Sequence, residues 1–114
     1  MKTFIQTLWI ALIAAAVLFL PTLAYAANIT MGSGGNLVFE PSEITISAGE
    51  TVTFTNGDLP PHNMIVEGHP ELSHGDLAFA AGDTFDVTFP EAGDYNFQCD
   101  PHAGAGMKGI IHVN

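Results

Sequence analysis

Tyr95-Asn96-Phe97-Gln98-Cys99-Asp100-Pro101-His102-Ala103-Gly104-Ala105-Gly106-Met107 is the most informative stretch of this 114-residue chain. Its first four residues alternate between apolar and polar, as in a half-buried β-strand, and residues 110–113 form a second strand-like run after it. Between the two runs, proline and glycine residues allow the backbone to turn back on itself. The stretch therefore predicts two strands joined by a tight loop that carries a thiol, an imidazole and a thioether.

Short apolar runs separated by turn residues continue upstream. They occupy residues 37–39, 44–46, 52–54, 64–66 and 85–89, and Gly- or Pro-containing turns separate them, including a turn at residues 32–35. Helical periodicity is absent from these runs, and a helical turn is expected only around residues 72–78. About seven short strands predict an all-β sandwich.

The N-terminus has the pattern of a secretory signal peptide. Lys2 precedes an apolar run over residues 8–20, and Ala24-Tyr25-Ala26 offers a cleavage site of small residues. An uncleaved membrane anchor is the alternative, but the run is short for a membrane span and Pro21 follows it. We therefore expect cleavage after Ala26, which leaves residues 27–114 as one small domain.

The charge of this domain is strongly negative. Loss of residues 1–26 removes Lys2 and no carboxylate, so twelve acidic residues face only Lys108, for a formal charge of −11. Such a surface disfavours binding to nucleic acid and to anionic membranes. It favours either steering towards a cationic protein partner or solubility in a salty medium, and composition does not separate the two.

Four side chains together predict a metal centre. Cys99 is the only cysteine, and a lone thiol in an oxidising compartment is a liability unless it is buried or bound to a metal. His102 follows it by three residues and Met107 by eight, while His62 lies upstream in Pro60-Pro61-His62-Asn63. Two imidazoles, a thiolate and a weak axial thioether are the ligands of blue-copper electron-transfer sites. Zinc, the competing metal, gains little from a thioether.

Further polar residues have simpler interpretations. Asn63 is placed to join the ligand loops by hydrogen bonds. His112 alternates with apolar neighbours on the last strand and should point outwards, while His69 and His74 are expected to be solvated loop residues rather than a second metal site.

Over nearly all of residues 27–114 the sequence resembles the plastocyanins, in their cyanobacterial form, within the type 1 copper (cupredoxin) family. The motifs that carry the resemblance are Gly35-Asn36-Leu37-Val38-Phe39-Glu40-Pro41, Pro60-Pro61-His62-Asn63 and the stretch from Tyr95 to Met107. The resemblance implies an eight-stranded Greek-key sandwich with one copper ion at one end, held by His62, Cys99, His102 and Met107.

The resemblance also implies partners and a docking surface. It implies a carrier that takes an electron from cytochrome f and delivers it to photosystem I in the thylakoid lumen. A carrier of this size should work as a monomer, and we do not expect it to be an enzyme. An apolar end face around the His102 edge is implied as the docking surface, formed by Gly35, Leu37, Pro61, Pro101, Gly104 and Ala105.

The chain departs from this family in two places. Gln98 stands where the family usually has a tyrosine belonging to a second docking region, so we expect transfer through the His102 edge alone. The segment over residues 67–81 is also shorter than usual, which leaves room for a different partner.

Three other functions compete with this interpretation. The chain is expected to be an exported blue-copper donor to a respiratory or denitrification enzyme, or a periplasmic copper carrier or buffer, if it does not serve photosynthesis. An enzyme such as a copper nitrite reductase needs a second metal site and a second domain, for which residues 27–114 are too few.

Overall fold

The computed structural model describes residues 27–114, which form nine β-strands in two sheets. The predicted signal peptide over residues 1–26 lies outside the described residues. The strands are β1 (Ala27–Ser33), β2 (Asn36–Glu40), β3 (Glu43–Ile46), β4 (Thr51–Asn56), β5 (His62–Val66), β6 (His74–Ala78), β7 (Thr84–Thr88), β8 (Gly93–Gln98) and β9 (Lys108–Val113).

The two sheets are mixed and pack face to face as a sandwich. One sheet has the order β2-β1-β4-β7 and the other the order β3-β9-β8-β5-β6. The β1–β4 and β3–β9 pairs are parallel, whereas the remaining neighbours are antiparallel. These crossovers between strands distant in sequence confirm the predicted all-β sandwich.

Two strands were not among the seven predicted, and one local prediction was wrong. Between residues 72 and 78 the sequence suggested a helical turn, but only Pro70–Leu72 is helical, as a short 3-10 helix, and His74–Ala78 is strand β6. β6 contains glycine and aspartate and has low intrinsic strand propensity, so its pairing with β5 decides its conformation. β1 was missed because its pattern is interrupted by polar and glycine residues.

The core consists of the inward-facing side chains of both sheets. Phe97 of β8 lies at its centre, with its ring centroid 4.7 Å from that of Phe39 and 6.0 Å from that of Phe54, both in edge-to-face geometry. Tyr95 is also buried, and its hydroxyl donates to the carbonyl of Glu91 at 2.8 Å. The half-buried strand predicted from the alternation of residues 95–98 is therefore confirmed, with Tyr95 and Phe97 facing inwards.

Gly109 of β9 makes room for this packing. A Cβ at this position would overlap the ring of Phe97 and lie 2.6 Å from the backbone oxygen of Ser42. Because β9 follows the predicted ligand loop directly, this glycine brings that end of β9 close against β8.

At the other end of β9, His112 joins three strands on the outer face of the sheet. Its Nδ1 lies 2.7 Å from the Asp94 carboxylate on β8, and its Nε2 lies 2.7 Å from the Glu43 carboxylate on β3. Carboxylates accept from both ring nitrogens only when the imidazole is doubly protonated. The hydrogen bond to Asp94 and then that to Glu43 raise the pKa of His112. The outward orientation predicted for His112 is confirmed.

We predict that His112 makes the stability of the fold depend on pH. Because the folded-state pKa is raised, the contribution is fully present below the unfolded pKa of about 6.5 and disappears as pH rises through the folded value. Thermal unfolding of the wild type and of H112Q should therefore differ more at pH 6 than at pH 9. An equal difference at the two pH values would contradict the prediction, and E43Q should reproduce part of the effect.

Candidate metal centre

The four predicted ligands lie at one end of the sandwich. His62 begins β5, and Cys99 directly follows β8, which is the antiparallel neighbour of β5. His102 lies in a short 3-10 helix (Asp100–Ala105), and Met107 immediately precedes β9. The sheet therefore brings together an upstream histidine and a C-terminal loop that are 37 residues apart at His62 and Cys99.

Three donor atoms converge on one point. The Cys99 sulfur lies 3.8 Å from Nδ1 of His62 and 3.6 Å from Nδ1 of His102. The centroids of the two imidazole rings are 5.1 Å apart, and the three donor atoms all lie within 4.8 Å of one another. In residues 27–114 this is the one such group of histidine, cysteine and acidic ligands.

A backbone hydrogen bond determines which ring nitrogen of His62 carries the proton. Its Nε2 lies 2.6 Å from the carbonyl oxygen of Asp58. Because a carbonyl only accepts, Nε2 carries the proton, and the lone pair of Nδ1 is directed towards Cys99. Gly32 permits this close approach: with φ of +83°, it lies where a Cβ would overlap the Asp58 oxygen and stand 2.7 Å from His62 Nε2.

Asn63 links the two segments that carry the ligands. Its side chain is 4 % exposed; its Oδ1 accepts from the Asp100 amide at 2.9 Å, and its Nδ2 donates to the Gly75 carbonyl at 3.1 Å. The first bond anchors the loop that follows Cys99, and the second anchors β6. The hydrogen-bonding role predicted for Asn63 thus has its partners in the structure.

The ligand loop closes on itself through backbone hydrogen bonds. The Cys99 amide donates to the Met107 carbonyl at 3.1 Å, and the His102 amide donates to the Cys99 carbonyl at 3.1 Å. The chain then turns at Gly106, whose φ of +88° is in the left-handed region that favours glycine. Met107 is fully buried beside this loop.

The surroundings of the donors favour their neutral forms. Burial raises the pKa of the Cys99 thiol. Burial and, to a smaller extent, the nearby His62 lower the pKa of His102. A neutral imidazole is the form that binds metal, whereas a thiolate in this apolar setting needs a bound cation to supply the compensating charge.

The spacing and chemistry of these donors fit a metal ion. If the metal is bonded to nitrogen at about 2.0 Å and to sulfur at about 2.3 Å, a trigonal site places each nitrogen about 3.7 Å from the sulfur. The observed separations, 3.6 and 3.8 Å, bracket that value. A histidine, histidine and thiolate set next to a buried methionine is the donor chemistry of blue copper rather than of structural zinc.

Residues 26–114 match the family model of copper binding proteins of the plastocyanin/azurin family. The chain belongs to this family. It is 42 % identical over 97 residues to plastocyanin A/B of Petroselinum crispum, covering 77 % of this chain and all of that one. It is 40 % identical to the chloroplastic plastocyanin of Hordeum vulgare, over 89 % of this chain and 71 % of that one.

Solved structures agree with this assignment. Oxidised plastocyanin from Dryopteris crassirhizoma has a TM-score of 0.69 and 33 % identity, over 77 % of this chain and all of that one. Pseudoazurin from Methylobacterium extorquens has a TM-score of 0.60 and 26 % identity, over 79 % of this chain and 76 % of that one. The cofactor of this plastocyanin-family protein is therefore copper, and the protein carries electrons.

The residues predicted for docking are all at least partly accessible to solvent. His102 is partly exposed, whereas His62 and Cys99 are buried. Four of these six residues are exposed, namely Gly35, Pro101, Gly104 and Ala105. The other two, Leu37 and Pro61, are partly buried.

The histidines outside the centre have other neighbours. His74, expected to be a solvated loop residue, instead lies in β6 and is partly buried. Its ring stacks on that of Phe85, with the centroids 3.9 Å apart and the ring planes at 8°. His69, in the same segment, pairs with Glu71 at 2.8 Å and is 42 % exposed.

The sequence analysis missed Gly32 and Asp58, which position His62, and their exposed neighbour Leu59. Gly32 and Asp58 act through backbone geometry, which no side-chain motif records. Leu59 was absent from the predicted docking set, yet it is 50 % exposed and has a φ of +57°. The sequence signal available for it was an apolar residue between Asp58 and two prolines, in a segment otherwise typical of a turn.

We predict that N63A destabilises the protein by about 1–3 kcal/mol, because it removes two partly buried hydrogen bonds that each contribute about 0.5–1.5 kcal/mol. Chemical unfolding of the metal-free protein measures this loss. The matched variant N96A removes an exposed asparagine from β8, and its stability should stay within about 0.5 kcal/mol of the wild type. Equal losses for the two variants would show that Asn63 does not hold the loop.

Proposed function

We propose that this protein is an exported, monomeric one-electron carrier with copper held by His62, Cys99, His102 and Met107. We further propose that it takes electrons from cytochrome f and delivers them to photosystem I in the thylakoid lumen. The observation that carries the proposal is a buried His62–Cys99 pair completed by a partly exposed His102, in a plastocyanin-family chain. Export rests on the pattern of residues 1–26, and a periplasmic location is the alternative compartment.

Copper, when bound, alternates between its singly and doubly charged states and so stores one electron. The chain's contribution is to keep the donors in one arrangement for both states. The Asp58 carbonyl fixes the His62 ring, Asn63 fixes the loop after Cys99, and backbone bonds fix the loop to Met107. Little rearrangement is then needed on transfer, since the loop is held on both sides.

The side chains near the surface support transfer through the His102 edge. Pro101, Gly104 and Ala105, close to His102 in sequence, are exposed and have short side chains, which allow a partner to approach its edge closely. Gln98, by contrast, donates to Asp100 at 3.1 Å and offers no aromatic ring at the side face. We therefore propose one route, through His102.

Two competing functions receive less support. Copper buffering calls for an open, exchangeable site, whereas His62 and Cys99 are 0 % exposed. An enzyme requires a place for substrate next to the metal, and we propose that this protein makes and breaks no bonds in any substrate.

A donor to a respiratory or denitrification enzyme would use the same mechanism, so reaction of the reduced protein with isolated photosystem I separates the two partners.

No helix in residues 27–114 is long and apolar enough to cross a membrane. We propose that the mature domain meets its partners by diffusion.

We predict that M107L keeps the intense blue absorption band and raises the reduction potential. The thioether is a weak axial donor that favours the doubly charged ion, so its removal favours the reduced state. Visible spectroscopy and a redox titration of the copper-loaded protein measure the two properties. C99S is the control, and it should lose the band altogether. An unchanged potential in M107L would exclude Met107 as a ligand.

We also predict that the rate of transfer from a cationic c-type cytochrome falls as salt is added. With a charge of −11 on the carrier, long-range attraction should accelerate association about tenfold or more at about 0.01 M relative to about 0.15 M ionic strength. Stopped-flow mixing over this range tests it. A rate that is independent of salt would show that the carboxylates serve solubility rather than steering.

A further inference from the structure

We propose that the carboxylates of Asp58 and Asp100 are fixed negative charges that lower the reduction potential of the copper centre. This role depends on the copper ligation proposed above and concerns two residues that do not bind the metal themselves. Two observations support it. The backbone of each aspartate is bonded to the segments that carry the ligands, and a hydrogen bond holds each carboxylate in place.

Asp58 is fastened to the metal centre by three hydrogen bonds. Its amide donates to the Gly32 carbonyl at 2.9 Å, and its carbonyl accepts from Nε2 of His62 at 2.6 Å. Its carboxylate accepts from the Gly35 amide at 2.9 Å. Because the amide, the carbonyl and the carboxylate are all engaged, the charge is held one side-chain length from the carbonyl that orients the His62 ring.

Asp100 has a corresponding arrangement on the other ligand segment. It directly follows Cys99, and its amide donates to the buried side chain of Asn63 at 2.9 Å. Its carboxylate accepts from Nε2 of Gln98 at 3.1 Å. The ligand loop therefore begins with a carboxylate whose backbone is anchored to β5.

The two charges are not compensated by neighbouring cations. The ion pairs found in residues 27–114 all involve His69 or His112, and none of them includes Asp58 or Asp100. Both aspartates are exposed, so no burial penalty opposes their charge. The metal centre is therefore flanked by two negative charges at fixed positions.

A nearby negative charge favours the more positive state of a redox centre. Reduction of this centre takes up one electron from the redox partner and no proton, so the oxidised state carries one more positive charge than the reduced state. For an exposed carboxylate at about one Debye length, attraction to that extra charge amounts to about twofold to tenfold in the equilibrium constant for reduction. The two aspartates should therefore act in the same direction, towards the oxidised state.

The decisive variant is D58N, measured as the copper-loaded protein. Asparagine has the shape of aspartate and keeps an acceptor for the Gly35 amide, so only the charge is removed. A redox titration should give an equilibrium constant for reduction about twofold to tenfold larger, or about 20–60 mV at 59 mV per tenfold. D100N should shift the potential in the same direction. The visible spectrum should be unchanged in both variants, because the ligands are not altered.

D86N is the matched control. Asp86 is also exposed, and its carboxylate also accepts one hydrogen bond, from the Thr53 hydroxyl at 2.6 Å. It lies on β7, in the sheet whose strands neither contain nor adjoin a ligand. D86N therefore changes the net charge by the same amount as D58N, but its reduction potential should shift far less.

Copper affinities of the metal-free protein separate an effect of charge from an effect of structure. The singly charged ion replaces the proton of the thiol and leaves the charge of the centre unchanged, whereas the doubly charged ion adds one positive charge. D58N should therefore bind the doubly charged ion about twofold to tenfold more weakly and the singly charged ion equally well. Competition with a chelator specific for each ion measures the two affinities.

An unchanged potential in D58N or in D100N would overturn the proposal, as would an equal shift in D86N, since the effect would then reflect net charge alone. Equal weakening of both ions, or an altered spectrum, would show that the aspartates act through ligand geometry, and the proposal would also be wrong. Absence of the blue band in the wild type would instead overturn the proposed ligation itself.

Discussion

The hydrogen bonds of Asn63 are the interaction on which the rest of the centre depends. One amide side chain joins β5, the loop after Cys99 and strand β6, and this side chain is itself buried. In that environment an unmade hydrogen bond is expensive, so the three segments have essentially one arrangement that satisfies them all. His62 is the immediate neighbour of Asn63 in sequence, so fixing Asn63 also fixes the first imidazole relative to the thiol.

Burial of the donors has a second consequence for the chemistry. A thiol in apolar surroundings resists ionisation, and a partly buried imidazole resists protonation, as the pKa shifts of Cys99 and His102 indicate. Both effects favour the uncharged forms of Cys99 and His102 in the absence of metal. The copper ion supplies the charge, and the surrounding backbone bonds keep the geometry nearly the same for both of its oxidation states.

The sequence allowed the prediction of those features that depend on side-chain type and order. The ligand motif, the outward His112 and the inward Tyr95 and Phe97 follow from residue chemistry and alternation. Strand β6 could not be predicted, because its residues favour turns and only pairing with β5 makes them extended. The roles of Gly32 and the Asp58 carbonyl are also invisible in the sequence, since they arise from contact between segments that are distant along the chain.

Tertiary contacts of Asp58 also act at the end of the sandwich where docking is proposed. Its carboxylate accepts a hydrogen bond from the Gly35 amide at 2.9 Å. The same residue fixes His62 through its carbonyl, so one aspartate both orients a ligand and imposes the strained turn at Leu59. The contacts of Asp58 thus fix the chain just before Leu59, and the disfavoured conformation there is part of what it costs the fold to hold the His62 ring in place.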